Sequence, residues 1–207
     1  MYDFIADLDE YFCKKYANYD KLCVLSGYKM PTMQATEERE DGRTYAYTLP
    51  PETMSLANQE NKTELLAALK AQLVDKTFSF SFIPYGFFTW VKNKFSKYAF
   101  YKSLHLAFQK YSVTKEAALE NLNIEKEVWD GICNGKFQPT KNLLFSFALT
   151  AQVSFEDTEK LLGLCGYEFD YTFEKDVVVA YLLTHNVFNR GMIDAALSEY
   201  KIDNLFI

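Results

Sequence analysis

Apolar residues recur at the spacing of one helical face at the start of the chain. Ile5, Leu8, Phe12 and Tyr16 line up within residues 3–19, with Asp3 placed to cap the helix. Residues 21–28 (KLCVLSGY) are short and apolar, and periodicity there fits strand and helix equally. Residues 29–43 are polar and contain Pro31 and Gly42, so they read as a loop. Period-2 alternation follows. Residues 44–49 (TYAYTL) put Tyr45 and Tyr47 on one face, and residues 77–82 (TFSFSF) do the same with Phe78, Phe80 and Phe82. Both patterns predict half-buried strands. Between them, Leu65, Leu66, Leu69 and Leu73 mark the buried stripe of a helix over 61–74 with Asn61 at its cap. This strand–helix–strand order allows a small parallel pair, with residues 21–25 as a candidate third strand.

Residues 85–102 set Phe88, Val91, Phe95 and Tyr98 on one helical face. Lys92, Lys94, Lys97 and Lys102 add four positive charges with no acid among residues 92–102. Such a helix suits a membrane surface or a nucleic-acid groove. It equally suits a basic inter-domain helix that packs its apolar face on its own protein while its lysines stay wet. Helices are predicted after it over 101–110, 114–122, 126–134, 141–152, 155–165, 173–186 and 190–200. Thr114, Thr140 and Ser154 stand at caps, and Asp157 follows Ser154 as in a capping box with a shortened acid.

Composition excludes a disordered chain, since 18 Phe, 15 Tyr and 2 Trp are far too many aromatics for one. A net charge of −6 argues against holding nucleic acid by bulk basicity. The charge is uneven, however. Residues 103–207 carry 9 basic and 15 acidic side chains, so the only concentrated positive charge lies just ahead of them. Cys13, Cys23, Cys133 and Cys165 form no CxxC pair, and four reduced, mostly buried thiols are expected, with no metal and no cofactor. The acidic start lacks the apolar core of a secretory signal, and no apolar run reaches the roughly 20 residues of a membrane span. A cytoplasmic protein is the expectation, and Val177–Leu183 reads as a core helix.

Residues 113–136 (VTKEAALENLNIEKEVWDGICNGK) resemble the helix-turn-helix of the Cro/repressor, or Xre-like, family. Thr114 matches the cap of the second helix, Ala118 and Leu119 its core pair in swapped order, and Leu122 the apolar site before the turn. Asn123 stands at the turn glycine, Ile124 at the apolar residue after it, and Glu125 at the usual Ser/Thr cap. Trp129 and Ile132 match the buried side of the recognition helix, and Asn134-Gly135-Lys136 its exit. Leu143, Leu144, Phe147, Ala148 and Leu149 resemble the fourth helix, and residues 152–157 the entry to the fifth. The resemblance spans residues 99–167, about a third of the chain.

The resemblance implies a recognition helix that reads base edges through Lys126, Glu127, Asp130 and Gly131. Glu can accept from cytosine, but Glu125, Glu127 and Asp130 turn three negative charges toward phosphates and Gly131 has no side chain to read with. Asn134, the Gly135 backbone, Lys136 and Lys141 match a phosphate clamp, which positions DNA without reading it.

No catalytic constellation is legible. His105 lies in an apolar-rich helix, and His185 closes another, where a cation suits the dipole. No GxGxxG, GxxxxGK[ST], HExxH or GxSxG occurs. The acidic run 37–41 reads as solvated surface, and Cys133 has no base placed beside it. The expected protein is mainly α. It has a small α+β N-terminal region (1–97), a five-helix Xre-like helix-turn-helix domain (98–168) and a C-terminal helical pair (169–207). Its expected function is that of a non-enzymatic bacterial or phage regulatory protein with DNA binding retained in some form. The alternative is a protein-protein interaction module, or homodimer, whose degenerate helix-turn-helix no longer reads DNA.

Overall fold

The computed structural model describes residues 3–29, 34–48, 55–75, 82–84, 94–122, 124–203 and 205. The protein is mainly helical. Its elements are α1 (Phe4–Lys15), α2 (Tyr19–Cys23), β1 (Gln34–Glu38), β2 (Thr44–Thr48), a 3-10 turn (Leu56–Asn58), α3 (Lys62–Gln72) and β3 (Phe82–Pro84). Then come α4 (Lys94–Lys110), α5 (Lys115–Leu122), α6 (Lys126–Cys133), β4 (Phe137–Pro139), α7 (Lys141–Thr150), α8 (Phe155–Leu164), α9 (Glu174–Thr184) and α10 (Arg190–Glu199). They fall into two compact units, Met1–Leu73 with Asp170–Val177, and Val74–Phe169 with Val178–Ile207.

In the first unit, α1 is capped as expected, the Asp3 carboxylate accepting from the Ala6 N–H at 3.2 Å. Its Leu8, Phe12 and Tyr16 bury together with Leu56 and with Leu65, Leu66 and Leu69 of α3. Each such side chain contributes on the order of 1.5–3 kcal/mol. Lys70 bridges Asp9 at 2.6 Å across α3 and α1. Asn61 occupies the α3 cap position but makes no side-chain cap bond. Residues 170–177 are tied in by Ala17 N–H donating to Tyr171 O at 3.0 Å. The Tyr16 hydroxyl donates to Glu174 at 2.8 Å, and Lys21 pairs with the same carboxylate.

The sheet differs from the expected parallel pair. β2 pairs antiparallel with β1, Gln34 opposite Thr48 and Glu38 opposite Thr44, so part of the expected loop is a strand. β1 (QATEE) is polar on both faces and exposed, so no alternation marks it. Tyr45 and Tyr47 are 39% and 47% exposed rather than half-buried. Residues 21–25 make no third strand; 19–23 are helical. Residues 77–81 of the other expected strand lie outside the described residues. Phe82–Pro84 pairs antiparallel with β4 in the second unit.

The second unit carries the larger core. Leu104, Leu122, Trp129, Ile132, Leu143, Phe147 and Leu162 are buried in it, with Phe108 and Phe147 edge to face at 5.4 Å between ring centres. Val178–Leu183 of α9 is buried on every side, the signature of a core helix. One continuous helix, α4, runs through position 97/98, where a domain boundary was expected.

One stop device recurs. α4, α6, α8, α9 and α10 each end in a Schellman motif, as in Val113 N–H to Phe108 O at 3.0 Å with Ser112 N–H to Gln109 O at 3.4 Å. α7 shares the outer bond, Val153 N–H to Ala148 O at 2.9 Å. Only at Gly135 and Gly166 is the left-handed residue a glycine; Ser112, Gln152, Asn186 and Lys201 adopt it with φ of 52–55°. Among the described residues no helix is long and apolar enough to cross a membrane.

Candidate nucleic-acid interface

The start of α5 is set by Thr114, whose Oγ accepts from the Ala117 N–H at 3.2 Å. Leu122 at its end is fully buried. Asn123 lies outside the described residues, as do the side chains of Ala118 and Leu119. Glu125 occupies the N-cap of α6 with extended backbone and makes no cap hydrogen bond. A serine or threonine hydroxyl there would supply one. Trp129 and Ile132 face the core as the resemblance implies. The Trp129 indole N–H is buried without a hydrogen-bond partner among the described residues. Trp129 also lines a small, mostly apolar cavity with Leu104, Ile132, Pro139, Leu143, Leu144 and Phe147.

The outward side of α6 is short. Glu125, Lys126 and Glu127 are exposed and Asp130 is half-buried. Gly131 does not belong to that side. It is buried, and a Cβ built on it would stand 2.3 Å from the Phe137 ring. The expectation that Gly131 is a base-facing position is therefore corrected. The glycine is there because β4 crosses at contact distance, a reason invisible in the local pattern.

The exit of α6 is also occupied by its own cap. With Gly135 at φ +66°, its N–H donates to Ile132 O at 3.0 Å and the Lys136 N–H to Gly131 O at 2.7 Å. Neither main-chain donor is open to a phosphate. The exposed side chains that remain are Asn134 and Lys136. Lys141 is half-buried, its Nζ 5.5 Å above the centre of the Phe145 ring. Lys102 is exposed on α4; Lys92 lies outside the described residues, as do the side chains of Lys94 and Lys97.

A polar node between the end of α4 and the start of α8 escaped the sequence reading. Ser154 caps α8, accepting from the Asp157 N–H at 3.3 Å, but Asp157 does not close the box onto the Ser154 N–H. The Tyr111 hydroxyl stands between. It accepts from the Ser154 N–H at 3.0 Å and donates to Asp157 at 2.8 Å. Lys110 and Lys160 pair with the same carboxylate. The Lys110 hydrogen bond, then those from Tyr111 and Lys160, holds Asp157 well below the usual carboxylate range. The short Asp reach was the available clue.

None of the four cysteines is in a disulfide; Cys13 is buried, Cys133 and Cys165 are half-buried and Cys23 is exposed, so fewer thiols are buried than expected. Burial pushes the Cys165 thiol up to about 12, so it is inert at neutral pH. Among the described residues no group of three His, Cys, Asp or Glu side chains is arranged to hold a metal. No protein-family model, curated protein or solved structure matches the chain.

Proposed function

We propose that the chain is a non-enzymatic regulatory protein that uses a helix-turn-helix-like scaffold as a protein-interaction surface, and that α6 does not read DNA sequence. The observation that carries this reading is the composition of the outward face of α6. Its first turn presents Glu125 and Glu127 around a single Lys126, the next expected reading position is the acidic, half-buried Asp130, and the last, Gly131, is filled by the Phe137 ring. A face of that sign is repelled by phosphates rather than drawn to them. The capped exit of α6 withholds two main-chain donors that a phosphate clamp would use. A basic protein segment is the partner chemistry such a face suits.

A second reading, weak DNA contact without sequence preference, is favoured by the exposed ammonium groups of Lys102, Lys126 and Lys136. Fluorescence anisotropy with mixed-sequence duplexes at about 50 and 200 mM salt separates the two, because phosphate contacts are strongest at low salt. No binding at the lower salt is the expected result. Salt-sensitive binding lost in Lys126→Ala and Lys136→Ala would favour the second reading. Binding that survives both but disappears when Lys92, Lys94 and Lys97 are replaced would place it on that basic stretch of the sequence. Sequence-selective binding abolished by Lys126→Ala or Glu127→Ala would overturn the proposal.

A further inference from the structure

β1 and β2 form a ribbon that is exposed at every residue except the half-buried Ala35. A two-stranded ribbon is marginal in water, and three or more strands are usually needed for independent stability. Among the described residues neither strand has a second neighbour. The two open edges differ in charge. β1 carries Glu37 and Glu38, whereas β2 (TYAYT) carries no charge and no proline, the devices that normally protect an edge from pairing.

The loop sets the hydrogen-bonding phase of the β2 edge. Gly42 N–H donates to Arg39 O at 2.8 Å and Arg39 N–H to Arg43 O at 3.1 Å, so the loop closes on the Arg39/Arg43 pair. Alternation along an antiparallel ladder then directs the main-chain groups of Tyr45 and Tyr47 inward, to their register partners Glu37 and Ala35. It turns the N–H and C=O of Thr44, Ala46 and Thr48 to the open edge. The sequence of β2 reads the same in both directions.

We propose that β2 pairs antiparallel with β2 of a second copy of this chain about a two-fold axis at Ala46, giving a four-stranded sheet. In that register Ala46 faces Ala46 of the second copy, Thr44 faces Thr48 and Tyr45 faces Tyr47. The outward-turned residues of the two copies therefore meet one another, which a one-residue slip would prevent. Thr–Thr and aromatic cross-strand pairs are among the favourable ones, and a two-fold axis requires this self-complementarity. Charge selects the edge. Pairing through β1 would gather the glutamates of both copies, while pairing through β2 leaves them on the outer strands, where they block further growth.

Sedimentation of the full chain tests this independently of the α5–α6 surface. A monomer–dimer equilibrium in the micromolar range is expected, as for a small interface. Ala46→Lys and Ala46→Glu each set like charges across the axis and are expected to weaken self-association by about tenfold or more. Mixed in equal amounts, the two variants place opposite charges there and regain the dimer, which an unfolded variant would not. A chain that stays monomeric at about 100 µM overturns the proposal. So does a dimer that both variants leave unchanged, or a mixture that stays dissociated.

Discussion

A methyl group added at Gly131 has nowhere to go, because Phe137 Cδ2 lies 2.3 Å from its ideal position. In an exposed helix, glycine to alanine is stabilising by up to about 1 kcal/mol. Here the ring must move, and overpacking of this kind costs about 1–3 kcal/mol. Gly131→Ala is therefore expected to lower the urea midpoint, and the smaller Phe137→Leu in the same chain should recover part of the loss. An unchanged or raised midpoint for Gly131→Ala would show that Phe137 does not press on this helix. Gln152 carries the opposite strain. It holds φ +55° just past α7, a conformation that disfavours any Cβ by about 1–2 kcal/mol. Gln152→Gly relieves it at some cost in unfolded-chain entropy, so a net gain of about 0.5–1 kcal/mol is expected in thermal melts.

The helices were legible because their signals are local. Thr140 and Ser154 cap as their positions suggest, their hydroxyls accepting from Leu143 and Asp157 N–H at 3.3 Å in both cases, and the apolar stripes fix the buried faces between caps. β1 was not legible, because a strand exposed on both faces has no alternation to reveal it. Nor was the bridge from Tyr111 to α8, which joins residues 46 apart. That bridge makes a testable link between elements. Asp157 titrates lower in the folded chain than in the unfolded one, chiefly because Lys110 hydrogen-bonds to it. Its contribution is thus complete above the unfolded value of about 4 and is lost as pH falls below that toward the folded value. Asp157→Asn should destabilise the protein at pH 7, and the gap between variant and parent in urea titrations should narrow from pH 5 to pH 2.5. A gap that does not vary with pH would remove the ion pair from the account. Tyr111→Phe leaves the Ser154 N–H without its acceptor, and a loss of about 1–2 kcal/mol is expected.

The chain does not fold in the order in which it is read. The first compact unit takes in residues 170–177 as well as 1–73, and the second takes in 178–207 as well as 74–169. A helix-turn-helix resemblance confined to residues 99–167 conceals this, because local motifs say nothing of the distant segments that cover them. Within the second unit Val178–Leu183 is buried on every side and Ile193 and Ala196 of α10 are buried with it. These side chains are as much core as Leu143 or Leu162. A fragment of residues 98–168 would lack all of them, and with them a share of the unit's apolar burial at roughly 25 cal/mol per Å². Most such domains have only about 5–15 kcal/mol to lose. The fragment is expected to show no cooperative thermal transition and to bind a hydrophobic dye, whereas the full chain melts cooperatively. If residues 98–168 alone gave a sharp transition near that of the full chain, α9 and α10 would be an appendage rather than part of the core, and the interaction surface proposed on α6 would belong to a self-sufficient domain.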